Sequence, residues 1–178
     1  MKALTVYDES ANVLFETDEK GEVANTLKEV GVHYEQWNAG FEIGPEHNEE
    51  DILLAYKSEI DKLVEENGYQ TRDVISLFSD NPNKAELREK FLSEHTHSED
   101  EVRFFVRGQG LFTLHIEDKV FSILCQKSDL ISVPADTLHW FDMGDSPEFT
   151  CIRLFNNPSG WVANYSDSGI DKKFPKLN

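Results

Sequence analysis

From about residue 100 onward the chain is a succession of short segments in which apolar and polar residues alternate, and few folds accommodate that pattern. VRFFV (102–106), LFTLHI (111–116), KVFSILC (119–125), DLISVP (129–134) and TCIRLF (150–155) are separated by turn-forming stretches at 108–110, 117–118, 126–128 and 142–147. Alternation sends successive side chains to opposite faces of a strand. Evenly spaced short strands with turns between them build a β-sandwich or a small barrel.

The first half of the chain mixes helices with strands. ALTVY (3–7), VHYEQW (32–37) and DVISLF (73–78) read as strands. Residues 18–30 place Val23, Leu27 and Val30 at helical spacing before Gly31. The clearest helix is predicted over 49–67: Asn48 is the N-cap, acidic residues 49–51 fill the first turn, and Leu53, Tyr56, Ile60, Leu63 and Val64 form one apolar stripe that Gly68 ends. A further helix opens after Asn81-Pro82, with Leu87 and Phe91 one turn apart. No repeat, low-complexity tract or linker divides the chain. The expected fold is mostly β, a barrel carrying α/β additions: one domain over 1–178, with additions over 1–94, a barrel core over 95–160 and a C-terminal segment over 161–178.

Composition narrows the function. With 34 acidic against 17 basic residues, the net charge of −17 repels nucleic acid phosphates and anionic lipid heads. The apolar stretch in MKALTVYDES is too short for a signal peptide, and no run is long enough to span a bilayer. Cys125 and Cys151 both lie in apolar strand-like segments and read as buried thiols in a reducing cytoplasm. A monomer acting on a small molecule, with no nucleic acid and no membrane as partner, is the expectation.

The chemistry is concentrated in His95-Thr-His97-Ser-Glu-Asp-Glu101. In an extended chain His95 and His97 project together and Glu101 falls on the same parity. Two imidazoles and a carboxylate on one point match the two-histidine, one-carboxylate arrangement that suits Fe(II) and related metals. His139, in Pro134-Ala-Asp-Thr-Leu-His139, is a fourth candidate, returned towards the barrel by the turn after DLISV. His33, His47 and His115 read as ordinary surface or core histidines. Strand parity puts Arg103 and Phe105 on the face of Glu101, and Phe141 on the face of His139. Arg103 suits either an anionic substrate or a structural ion pair. Phe91, Phe105 and Phe141 are candidates for an apolar pocket wall, and Arg153 is a further substrate-side candidate.

The spacing H-x-H-x3-E-x6-G, followed by P-x-D-x2-H, resembles the two cupin motifs. The similarity extends beyond them: residues 55–77, 81–112, 129–144 and 150–155, with Gly160-Trp161, resemble acireductone dioxygenase of the bacterial type. That resemblance implies a cupin jelly roll with metal ligands at His95, His97, Glu101 and His139 and one divalent ion per chain, Fe(II) or Ni(II), with Co(II) or Mn(II) also admissible. Glu101, as ligand, and Arg103, from its strand parity, are the candidate catalytic residues. It implies cleavage of 1,2-dihydroxy-3-keto-5-methylthiopentene by O2 in methionine salvage. The Fe(II) form would give formate and 4-methylthio-2-oxobutanoate; the Ni(II) form would give carbon monoxide, formate and 3-methylthiopropanoate. The second motif commonly carries Gly where this chain has Asp136. Another cupin dioxygenase or isomerase, or a cupin that only binds a small ligand, are the alternative readings.

Overall fold

A computed structural model describes residues 1–178. In chain order its elements are β1 (Leu4–Asp8), β2 (Val13–Thr17), α1 (Lys20–Lys28), β3 (His33–Gln36), α2 (Glu49–Ala55), α3 (Lys57–Asn67), β4 (Thr71–Leu77), α4 (Lys84–Leu92), β5 (His95–Thr96), β6 (Glu101–Ile116), β7 (Lys119–Gln126), β8 (Asp129–Val133), β9 (Leu138–Asp142), β10 (Phe149–Phe155) and β11 (Asn164–Tyr165). No helix is long and apolar enough to cross a membrane.

All strand pairings are antiparallel, and the architecture turns on β6. Its first half pairs with β8 and β10, and its second half with β7 and β9. One long strand therefore belongs to two sheets, ordered β3-β8-β6-β10-β4 and β11-β5-β9-β6-β7-β1-β2. VRFFV and LFTLHI, expected as separate strands, are the two halves of this element. Gly108 is the hinge: at φ 64° it takes a left-handed conformation, and a Cβ there would stand 1.7 Å from the Glu148 carbonyl oxygen. The chain bends at 108 without leaving the ladder. The ladder does not close on itself as a barrel; β2, β3, β4 and β11 remain edges.

Alternation decides what each face meets. Inward residues of both sheets, among them Leu4, Phe105, Phe112, Phe121, Ile131, Phe141 and Cys151, form the main core. The outer face of the β8-β6-β10 sheet presents Val102, Phe104, Leu130, Ile152 and Leu154 to Ile52, Tyr56, Ile60 and Leu63 of the helical segment. The outer face of the other sheet packs Tyr7, Val120 and Trp140 against Ile170 and Phe174 of the C-terminal segment. Full burial of each large side chain contributes about 1.5–3 kcal/mol, so both outer faces need these covers.

The helix expected over 49–67 is two helices. Asn48 and Asp51 make the reciprocal capping box, but at Tyr56 the backbone leaves helical geometry (φ −109°, ψ 23°). Tyr56 is almost fully buried, its ring edge-on to Phe104 and its hydroxyl accepting from the Phe41 amide at 3.2 Å. Satisfying those contacts outweighs one regular turn. Gly31 and Gly68 end α1 and α3 at positive φ, as expected.

The two glycine positions predict a graded response to alanine. Gly31→Ala meets open space and only the left-handed penalty, about 1 kcal/mol. Gly108→Ala adds a backbone collision and should lose about 3 kcal/mol or more. Urea denaturation of the two variants checks the order; equal midpoints would contradict the hinge role.

Candidate metal centre

Short β5 pairs β9 through His95 and His139, which places the two imidazoles side by side. His97 follows one residue beyond β5, and Glu101 is the first residue of β6. The ring centroids lie 4.4 Å (His95–His139), 5.1 Å (His95–His97) and 5.1 Å (His97–His139) apart. One nitrogen from each ring lies within 4.8 Å of the others, a three-histidine cluster able to hold one metal ion. Glu101 Oε2 stands 3.6 Å from His97 Nε2 and 3.8 Å from His139 Nε2. All four side chains are buried.

Each imidazole is oriented from behind. Nδ1 of His95 donates to the Ser93 carbonyl at 2.7 Å, Nδ1 of His97 to the Val162 carbonyl at 2.9 Å, and Nδ1 of His139 to the Thr137 carbonyl at 2.8 Å. A proton on Nδ1 leaves Nε2 as a lone-pair donor in a neutral ring. Burial reinforces that state by opposing the charged form: His95 is pushed down to about 4, His139 to about 3, and His97 downward as well. Burial alone would raise the Glu101 carboxyl, but the Arg103 charge beside it outweighs burial and holds the group at about 2. Arg103 Nε donates to Glu101 Oε1, and its guanidinium lies 4.8 Å from the Phe112 ring centroid and 5.4 Å from that of Phe141.

The test for a cation is what remains unpaired. Nε2 of His97, Nε2 of His139 and Oε2 of Glu101 are buried without a hydrogen-bond partner. Such atoms each cost about 1–3 kcal/mol, and these are converging lone-pair donors in a protein whose other buried polar side chains are nearly all satisfied. A divalent ion meets that requirement.

A cleft of about 380 Å³ opens over the centre, reached between β4, α4 and the segment 161–165. His95, His97, Arg103 and Arg153 line it together with apolar side chains that include Leu87, Phe91 and Trp161. Of the residues singled out for substrate, Phe91, Arg103 and Arg153 reach the cleft. Phe105 and Phe141 do not: they are sealed in the main core, where Phe141 stacks edge-on beneath Phe91 at 6.4 Å. Same-face parity places a side chain inward, yet at these two positions inward means core. His33 is exposed, His47 accepts from the Gly44 amide, and His115 faces Glu94 at 2.7 Å.

Sequence reasoning missed the three carbonyls, the lining residues Trp161 and Tyr165, and Asp73, which binds Arg153 through two hydrogen bonds of 2.9 and 2.6 Å. Asp73 left one trace: a carboxylate on the same parity as the inward Ile75 and Leu77 of a strand. Asp136, the departure from the usual glycine, has φ 62° while its amide donates to the His97 carbonyl at 2.8 Å. Aspartate tolerates that left-handed geometry better than most residues.

Comparison with known proteins agrees with this architecture. The model of the ARD/ARD′ family matches residues 3–163. An acireductone dioxygenase of Pseudomonas fluorescens (strain Pf0-1) is 60% identical over 156 residues, covering 88% of this chain and 86% of that protein. One of Enterobacter sp. (strain 638) is 52% identical over 179 residues, 99% of both. The solved acireductone dioxygenase from Bacillus anthracis, with a cadmium ion in its active centre, superposes with a TM-score of 0.78 at 33% identity, covering 93% of this chain and 99% of that one. With its metal-ready three-histidine cluster in the same fold, the chain belongs to the acireductone dioxygenase (ARD/ARD′) family.

Proposed function

We propose that this chain, acting as a single-domain monomer in the cytoplasm, is a metal-dependent dioxygenase that cleaves 1,2-dihydroxy-3-keto-5-methylthiopentene with O2 in methionine salvage. The observation that carries the reading is the convergence of buried, unpartnered Nε2 and Oε2 atoms of His97, His139 and Glu101 behind a cleft that His95, His97 and Arg103 line, in a family whose members bear that activity's name. His95, His97, Glu101 and His139 are the residues that would hold the ion. Their donor set, three imidazoles and one carboxylate, admits Fe(II), Ni(II), Co(II) and Mn(II). A bound divalent ion supplies Lewis acidity and a template for the reaction of an electron-rich enediol with O2.

The protein's own groups do the rest. Glu101 enters as a carboxylate because Arg103 keeps it ionised. Arg103 uses only Nε on Glu101, so its terminal amino groups remain to meet the anionic oxygens of the substrate by charge-assisted hydrogen bonds. Leu87 and Phe91, on the cleft-facing side of α4, offer apolar surface for the methylthio tail. Two free, buried cysteines, Cys125 and Cys151, fit a reducing cytoplasm.

Removing one ligand tests the assignment: His97→Ala and Glu101→Ala should each drop bound metal well below one per chain and abolish O2 uptake with synthetic acireductone. A fully loaded, active Glu101→Ala protein would take Glu101 out of the site.

Metal and protons should both register in stability. Free metal at about 100 times its dissociation constant should add roughly 2.7 kcal/mol. In the stripped protein, His95 and His139 hold protons less readily than in the unfolded chain, where the ordinary value is 6.5. The unfolded state then binds more protons as pH falls below about 6.5, and stability declines towards pH 4. Thermal melts across that range, with and without metal, measure both effects.

Reconstituting one apo preparation with Fe(II) and with Ni(II) should give different products, the 2-keto acid with formate in the first case and carbon monoxide in the second. Identical product mixtures from two fully loaded forms would remove metal-dependent product choice while leaving the dioxygenase reading standing.

A further inference from the structure

Asp73, Arg153 and Arg103 are direct cross-strand partners on three neighbouring strands. Arg153 pairs Asp73 across β10 and β4, and pairs Arg103 across β10 and β6. The row lies on the inward face, since the flanking Val74, Ile152, Leu154, Val102 and Phe104 pack against the helical segment on the other side. Two guanidinium groups at directly opposed positions repel. Each is given its own carboxylate: Arg103 takes Glu101, and Arg153 takes Asp73 in a two-point grip by Nε and Nη2.

That grip leaves Nη1 of Arg153 without a protein partner, and the residue lines the same cleft as Arg103, His95 and His97. Nη1 is absent from the sealed, unpartnered atoms of the interior, so it reaches the cleft surface. A purely structural tie between β4 and β10 would be redundant, because the two strands are already in register from Thr71↔Phe155 to Leu77↔Phe149. Nor would it call for an arginine whose free amino group opens beside the candidate metal centre. The fixed charges of the row cancel in pairs, so what the arginines contribute is a rigid planar fork of donors, which lysine's rotatable ammonium does not offer.

On the reading of the cleft as an acireductone site, on which this rests, we propose that Arg153 is a second anion-binding residue, gripping the oxygen-bearing end of the substrate together with Arg103, and that Asp73 is the positioning residue that aims it. The substrate then lies with its oxygens against the β10-β6 arginines and its alkyl tail against apolar lining elsewhere in the cleft.

The test compares metal-loaded wild type, Arg153→Met, Arg153→Lys and Asp73→Asn. Metal per chain, steady-state O2 uptake with acireductone and anaerobic equilibrium binding of acireductone are measured for each. Metal content should stay at the wild-type level. In Arg153→Met, KM and the anaerobic dissociation constant should rise about ten-fold or more, by a larger factor than kcat falls. Arg153→Lys and Asp73→Asn should show smaller rises of the same kind. An acireductone lacking the methylthio group should suffer the same factor, because the arginine touches the oxygenated end. Should Arg153→Met fail to fold, the two conservative variants decide by the same KM-against-kcat split. Folded, loaded variants with unchanged KM and unchanged anaerobic affinity would overturn the role of Arg153 while the wild type still turns over. No O2 uptake by loaded wild type would overturn the functional reading and this role with it.

Discussion

The pairing of Glu101 with Arg103 is the interaction on which the floor of the cleft depends. A carboxylate exposed to only 2% would ordinarily take up a proton on burial; here an arginine two residues along the same strand, itself 3% exposed, keeps it ionised. The arginine in turn rests on the faces of Phe112 and Phe141, whose ring quadrupoles favour a cation. The phenylalanine core is thus more than filler beneath the site, because it carries the cation that sets the charge of a proposed metal ligand. Removing one member of such a buried pair leaves an uncompensated charge, typically a loss of about 3–5 kcal/mol. The pair and the core stand or fall together.

Orientation of the imidazoles depends on a different constraint, the backbone. The three carbonyl acceptors come from Ser93 ahead of β5, Thr137 ahead of β9, and Val162 in the segment leading to β11. The third is the most demanding, since the chain must return from the end of β10 to bring Val162 behind His97. Gly160 permits the return: a Cβ there would come within 2.7 Å of the Phe155 ring. β11 then pairs with β5 at His95 itself. Residues 160–165 are part of the site although none of their side chains enters the ligand set.

What the sequence made legible follows from range. Strand parity is local, so the common direction of His95 and His97 and the inward face that Arg103 shares with Glu101 could be read from spacing. Glu101, by contrast, meets the histidines across a bend at 97–100 that parity does not describe. Parity does not say whether an inward residue ends at a cavity or in a core, which is why Phe105 and Phe141 are sealed while Phe91, on a helix, reaches the cleft. The continuity of β6 through Gly108 was hidden because a glycine that bends a strand and one that ends it look alike in sequence. The break at Tyr56 was hidden because its cause, a hydroxyl reaching Phe41 and a ring against Phe104, lies in tertiary contacts. The carbonyl partners and the Asp73–Arg153 grip are long-range pairings with no local signature beyond one carboxylate on an inward parity.

These two ranges of interaction also divide the chemistry. The candidate ligand set is assembled from β5, β6 and β9 and offers donors that discriminate weakly among first-row ions. Its histidines are held neutral by burial, so protons compete feebly for them over the ordinary pH range. On the proposed function, the choice of ion then falls to availability more than to the donor set. The arginines are set differently, fixed by the register of β4, β10 and β6 and by their own carboxylates, none of which changes with the identity of the ion. A substrate bound against that row keeps one end fixed whichever ion occupies the centre. Any metal-dependent difference in outcome would then have to arise between the arginine row and the histidine cluster, which line the same cleft.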